Sequence, residues 1–413
     1  MSVSFYGLTK KTVWLFTRRG VQVFGFVLLV VALYVPSGRK AAGCDLESTW
    51  QTISEYAAVH GLRYGSELLH NYGPLGYLGA WSGLGNLSAT RQLFAVFWAL
   101  LSVLAVFRLF RGPALVLAWA WLCFGPNPVT LRDQELQGLL IVAMLAHSLF
   151  LKSRSLLWEI LLAVFLAVLV FIKTSFLSLG FLLLFLVPLA RCLQGRAAQA
   201  LRFPLILAAA LAAVWGLAGQ QAGDLPAWLR GSFYISRGYI EAMGRNPVPG
   251  VFELLTAALM IFFTAVIIIA FFRRREPAAV CFLLLISGMA ALQGRHALVR
   301  ADAGHLLFLT RLLPLLPLLF FRTGIKPFRS GAGVFPLVLF AVLTVLAFQA
   351  HRLQSPGDPL FLPVSWQHRA EELGKDLAAP GASQTTKSGI SPKDCLMAES
   401  TQRTGTKGVD VYN

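Results

Sequence analysis

Asp45 and Glu47 open a polar stretch, residues 36–91, that interrupts an otherwise apolar chain. A carboxylate at the mouth of a membrane span, partly withdrawn from water, can take a proton from a hydroxyl or hold a divalent cation. It can equally serve as a helix N-cap or as an interfacial charge. The two acids stand two residues apart, which on a helix turns them about 200° from each other, so only one can face a given substrate atom. Asp45 is the first candidate for the base and Glu47 the second. The same stretch holds Glu55, Glu67, His70 and the run Tyr72-Gly73-Pro74-Leu75.

Cationic groups gather in three further places. Arg295, His296, Arg300, Asp302 and His305 lie together between two apolar runs. Arginine grips phosphate through a bidentate fork, and histidine can donate or shuttle a proton, so this cluster suits an anionic headgroup. Its alternative is an internal salt-bridge network. Lys173 separates two apolar runs with almost no loop; a cation there is costly unless it is paired, useful or able to snorkel to the headgroups. In residues 221–249, Trp228, Phe233, Tyr234 and Tyr239 alternate with Arg230, Arg237, Glu241 and Arg245, which reads as an interfacial belt in an outer loop. Arg237 and Glu241 have the i, i+4 spacing of a helical ion pair. The candidate substrate-binding set is therefore Tyr72, Lys173, Arg237, Glu241, Arg295, His296, Arg300, Asp302 and His305.

Positioning these groups falls to membrane helices. The 413 residues are 56% hydrophobic and 13% charged, against roughly 25% charged in a soluble domain. The formal charge of +17 sits in short clusters between apolar runs, which marks topology and not a nucleic-acid-binding face. At about 20 residues per span, eleven segments qualify, near 14–35, 92–110, 113–130, 136–151, 155–172, 174–191, 203–220, 250–272, 277–293, 305–321 and 333–350. The expectation is an all-α polytopic bundle over residues 1–350. The first apolar run, about 22 residues long, reads as a true span and not as a cleaved signal peptide.

Lys10, Lys11, Arg18 and Arg19 place the N-terminus in the cytoplasm under the positive-inside rule. Alternation then puts Arg108, Arg111, Lys152, Arg154, Arg191, Arg196, Arg202, Arg273–Arg275, Arg322, Lys326 and Arg329 inside as well. Most acids fall on the other side, with Lys173 and the Arg295–His305 cluster. In the first outer loop, Leu46, Trp50, Ile53 and Ala57 share one helical face and predict an interfacial helix; Tyr77, Leu78 and Trp81 suit a second.

Residues 351–413 form a polar extracytoplasmic tail whose composition predicts disorder. Its last run, Gly408-Val409-Asp410-Val411-Tyr412-Asn413, is strand-like with nothing following to pair with, as in a frame that stops short of a longer parent. Five cysteines show no metal-ligand spacing; Cys44 and Cys395 fall on the same side and could form a disulfide, and the others read as small buried hydrophobes. Glycine-rich nucleotide loops, zinc helix motifs and nucleophile elbows do not occur, which argues against a cytosolic nucleotide as direct substrate.

A first span, an outer loop that opens with an acid, an interfacial helix, and Gly61-Leu62-Arg63-Tyr64-Gly65 leading to Tyr72-Gly73-Pro74-Leu75 together resemble the GT-C superfamily of polytopic glycosyltransferases. That superfamily includes protein O-mannosyltransferases and the bacterial lipid A aminoarabinose transferases. The stretch from Ala297 to His305 also resembles a segment of bacterial membrane proteins of this general layout. The resemblance implies a bacterial inner-membrane enzyme that uses a polyprenyl-phosphate sugar and a glycan, lipid or protein acceptor. It also implies an active-site acid in the first outer loop, by position Asp45 and then Glu47, with or without a divalent cation. Three alternatives remain: a glycan polymerase or ligase of the O-antigen type, a transporter or flippase, and a catalytically inactive copy. Transporters tend to show internal repeats and broken helices at midplane, and the sequence shows no clear repeat.

Overall fold

The computed structural model describes residues 25, 46–79, 87–124, 134–152, 156–243, 277–300, 312, 314–320 and 340–345. These are mostly helical, with no strand among the described residues. In chain order the helices are α1 (Leu46–His60), α2 (Ser88–Leu109), α3 (Pro113–Phe124), α4 (Gln134–His147), α5 (Leu156–Ile172), α6 (Phe176–Leu193), α7 (Arg202–Leu217), α8 (Leu225–Met243), α9 (Pro277–Arg300) and α10 (Leu315–Phe320). A π-helical turn, Ser148–Lys152, continues α4.

Three stretches, Phe176–Leu193, Ala197–Leu217 and Pro277–Arg295, are long and apolar enough to cross a bilayer, which makes this a helical membrane protein. Shorter apolar helices run over Leu93–Leu109, Pro113–Leu122, Glu135–Phe150 and Leu156–Ile172. The spans expected at 14–35, 250–272 and much of 305–321 and 333–350 lie outside the described residues, as does the polar tail.

Helix α5 is apolar along nearly its whole length; one face buries Leu162, Ala163, Leu166, Ala167, Leu169 and Phe171, while Leu157, Ile160, Leu161 and Val164 stay exposed. Its most extensive partner is α7; α9 packs on α6, and α2 on α4. Small residues set these approaches, since in lipid close packing replaces the hydrophobic drive between helices. A Cβ on Gly138 of α4 would come within 2.8 Å of the Leu169 side chain of α5, and one on Gly288 of α9 would collide with Leu182 of α6.

The two ends of α5 carry different charge clusters. Near its start, Glu159 is fully buried and accepts two hydrogen bonds from Arg202 at the start of α7, at 2.6 and 2.8 Å. Arg191, in the last turn of α6, donates to the same carboxylate. At the other end, Lys173 occupies the three-residue corner between α5 and α6. The fourteen residues from Glu159 to Lys173 rise about 21 Å along a helix, so the two groups mark opposite ends of the bundle.

Two expectations change. Residues 294–300 are not loop but the last two turns of α9. Hydropathy falls at Gly294, but the next helix breaker after it is Gly304, so the polar boundary and the helix end do not coincide. The stretch expected as the second outer loop is likewise mostly helix: a 3-10 turn at Ala222–Asp224 leads into α8, whose second residue, Pro226, sits where a first turn accepts proline. Of the cysteines described, Cys281 is buried as expected and Cys192 is exposed.

Candidate functional site

Helix α5 ends with carbonyls that have no intrahelical partner, and the first polar stretch supplies the donors. The Leu75 N–H donates to Phe171 O at 2.9 Å, and the Gly73 N–H to Ile172 O at 3.4 Å. In return Asn71 O accepts from the Thr174 N–H at 3.0 Å and the Thr174 hydroxyl at 2.8 Å. The strip fits only because residue 73 is glycine: a Cβ there would stand 2.5 Å from Phe171 O and 2.9 Å from Phe171 Cα. Tyr72-Gly73-Pro74-Leu75 is thus the strip by which residues 61–79 dock on the α5–α6 corner.

Docking brings aromatic rings to Lys173. Tyr72 forms a backbone bridge with Lys173, and the Lys173 ammonium lies 5.6 Å from the Tyr72 ring centroid. Trp50 of α1 stacks on Tyr72 with centroids 3.9 Å apart and planes 3° from parallel; His70 stacks on Tyr72 at 5.5 Å. The Tyr72 N–H donates to His70 Nδ1 at 3.3 Å, which leaves the imidazole proton on Nε2. Burial pulls the His70 pKa down to about 4, so this ring is neutral near pH 7.

Lys173 does not snorkel. It makes an ion pair with Glu135, in the first turn of α4, and the two side chains are only 16% and 10% exposed. The α5 C-terminus adds the partial negative charge of its carbonyls to the lysine's surroundings. Consecutive antiparallel helices place the start of α4 beside the end of α5, so this partner was readable from the spacing of two successive apolar runs.

Two more ion pairs hold the layer together. Glu55 of α1 is fully buried and pairs with Arg91, in the first turn of α2. Helix α1 therefore does not bury a purely apolar face as expected. It buries Gln51, Ser54, Glu55 and Ala57 and exposes Tyr56, Val59 and His60, so its buried face is mainly polar. Farther along, Arg63 grips Asp224 with Nε and Nη2 at 2.7 and 2.8 Å, and these bonds hold the Asp224 carboxyl below its usual range. Gln220 accepts from the Tyr64 N–H at 2.8 Å and donates to Leu62 O at 3.2 Å. Gly65 adopts φ +102° against the backbone of Trp228, which with Phe171 and Trp215 forms an aromatic cluster. After Gly73 the expected second interfacial helix is a single 3-10 turn, Gly76–Gly79, with Leu78 buried; Trp81 lies outside the described residues.

Among the expected site residues, Tyr72 and Lys173 come together. Glu47 lies in the first turn of α1, one turn before Trp50, with its side chain outside the described residues; Asp45, which precedes the helix, is outside them altogether. Arg237 is exposed on α8, and Glu241 lies four residues on in the same helix, its side chain not described. Arg295 is exposed on α9; His296 and Arg300 belong to that helix with side chains not described, and Asp302 and His305 lie outside. Sequence reasoning missed Glu135, Arg91, Trp50 and His70 as members of this layer.

No three His, Cys, Asp or Glu side chains gather among the described residues. Glu55, Glu135, Glu159 and Asp224 each hold an arginine or lysine, so these carboxylates do not suit a divalent cation. No family model, curated protein or solved structure matches the chain.

Proposed function

We propose that this chain is a membrane glycosyltransferase of about eleven spans, similar in layout to the GT-C superfamily. It moves a sugar from a polyprenyl-phosphate donor to a glycan, lipid or protein acceptor on the extracytoplasmic face of a bacterial inner membrane. The N-terminus is cytoplasmic, and the 351–413 tail lies with the Lys173 end outside. The observation that carries this reading is the Trp50, Tyr72 and Lys173 stack. It joins α1, within one turn of the candidate base Glu47, to the cation at the α5–α6 corner. Less than one helical turn separates Glu47 from Trp50, about 4.5 Å of rise, and Asp45 precedes the helix in sequence.

In this reaction the acceptor O–H proton passes to Asp45, or to Glu47, as the acceptor oxygen bonds to the sugar's anomeric carbon. The bond from that carbon to the donor phosphate breaks, and its electron pair leaves with the phosphate. Lys173 stabilises that charge, exchanging its Glu135 partner for a phosphate oxygen. Arg237, Arg295, Arg300 and His305 are the further cations of this reading, with His296, Asp302 and Glu241 beside them. A divalent cation, where one is used, belongs with Asp45 and Glu47.

The test is transfer of labelled sugar from a panel of polyprenyl-phosphate sugars in membrane vesicles. Asp45→Asn should lower transfer by about 100-fold or more, the scale of a lost general base, while Glu47→Gln keeps most of it. Full transfer by Asp45→Asn overturns the assignment of the base. Lys173-dependent substrate uptake that survives loss of Asp45 would instead favour a transporter.

A further inference from the structure

We infer that the corner between α6 and α7 is a binding site for a phosphate oxyanion, carried by an anionic lipid headgroup. Two guanidinium groups, Arg191 and Arg202, converge there on the single carboxylate of Glu159, which leaves one positive charge uncompensated within the cluster. Arg191 is only 2% exposed, yet its hydrogen bonding is incomplete. Its Nε is buried with no partner, and its Nη1 reaches Gln194 Oε1 at a long 3.5 Å. An arginine has five N–H donors, and leaving them unmet in an apolar setting is costly unless an anion completes them.

Arg202 completes the opening. Its side chain stays 31% exposed while it grips Glu159, so part of its fork faces outward. Arg196, half-buried in the turn between the helices, adds a second positive charge and forms no ion pair among the described residues. Helix α7 begins there with no side-chain cap on its first N–H groups, and its dipole adds to the positive field.

The surroundings favour a lipid over a soluble ion. Leu193, Leu201 and Leu205, which flank Arg196 and Arg202 in sequence, are 45%, 71% and 70% exposed. Apolar side chains left open beside an arginine-rich corner suit acyl chains joined to a phosphate, and basic corners between helices at the cytoplasmic side are where anionic headgroups bind. Lys and Arg bias assigns this end to the cytoplasm. The inference does not rest on the glycosyl-transfer reading, because the site lies at the other end of α5.

The experiment uses the full chain purified in a neutral detergent. Phosphatidylglycerol, phosphatidylcholine and inorganic phosphate are titrated separately, with bound lipid counted by native mass spectrometry and the melting midpoint recorded. Phosphatidylglycerol should be retained at one more copy than phosphatidylcholine and should raise the midpoint. Arg196→Gln should weaken its apparent affinity by about tenfold, the effect of losing roughly 1.4 kcal/mol of binding. That variant leaves the Glu159 cluster intact, so it tests the site without disturbing the fold; Arg202→Gln, which breaks the cluster, is the second variant and should weaken binding further. A midpoint raised by inorganic phosphate alone, with no preference for phosphatidylglycerol, upholds the oxyanion site and overturns its lipid source. Equal retention of both lipids, no response to phosphate, and binding unchanged in Arg196→Gln overturn the proposal.

Discussion

At the Lys173 end, each described acid of the ion-paired layer takes one cation: Glu135 holds Lys173, Glu55 holds Arg91 and Asp224 holds Arg63. At the Glu159 end, one acid takes two. One pair of the balanced end, Arg63 with Asp224, joins segments 161 residues apart, while its other two pairs join neighbouring segments. The unbalanced end ties three helices that follow one another directly. The long-range balanced pair goes with docking of a loop, where a leftover charge would weaken the closure. Imbalance goes with a rigid helix junction that keeps a positive field.

Removing charges separates the two ends. Glu159→Gln strips the only described counter-charge from two guanidinium groups, one of them fully enclosed, and should have the largest effect. Breaking a buried pair from one side costs on the order of 3–5 kcal/mol, and here two cations lose their partner. Thermal unfolding in detergent should show a drop larger than any single change at the Lys173 end; an equal or smaller drop would erase the distinction.

Next in size is the Lys173 pair. Lys173→Met alone leaves Glu135 without its cation and should cost about 3 kcal/mol, the lower end of the buried range because both groups keep some solvent. Lys173→Met with Glu135→Leu should recover most of that stability. Under the proposed glycosyl-transfer reading, transfer should stay lost in both variants. A double variant that regains stability and activity together would make the pair purely architectural.

The smallest effect concerns pH at the loop. His70 titrates near 6.5 when free and about 4 when docked, so docking loses stability as pH falls from 6.5 towards 4. Asp224 titrates below its free value of 3.8 when bound to Arg63, so its share persists above that pH and disappears only as pH falls through the lower, docked value. Hydrogen-exchange protection at residues 61–79, corrected for the intrinsic exchange rate at each pH, should therefore fall between pH 6.5 and 4 in the wild type, and less in His70→Phe, while protection in α5 to α7 stays level. A uniform loss of protection throughout would show that the loop is not a separate unit.

Much of the helical frame was legible in the sequence, because apolar runs in a bilayer have few other solutions. The runs expected at 155–172 and 174–191 became Leu156–Ile172 and Phe176–Leu193, with Lys173 in the corner between. Hydropathy failed where a helix leaves the apolar zone without a breaker, as in α9 past Gly294 and in α8. Partners were less legible. Arg91 was not singled out, because the spacing of residues along one segment carries no information about which acid it meets. Trp50 was visible as one member of an apolar face, but its stacking on Tyr72 depends on a fold-back that the spacing within α1 cannot encode.

The Gly73 strip has a consequence for how the protein is made. Asn71 meets Thr174 across 103 residues of chain, and synthesis at roughly 5–20 residues per second separates their appearance by about 5–20 s. For that time the strip is finished and its receiving helix end does not exist. Its amides must stay hydrated until α5 and α6 have formed, so the ribosome's pace sets how long residues 61–79 wait to be closed.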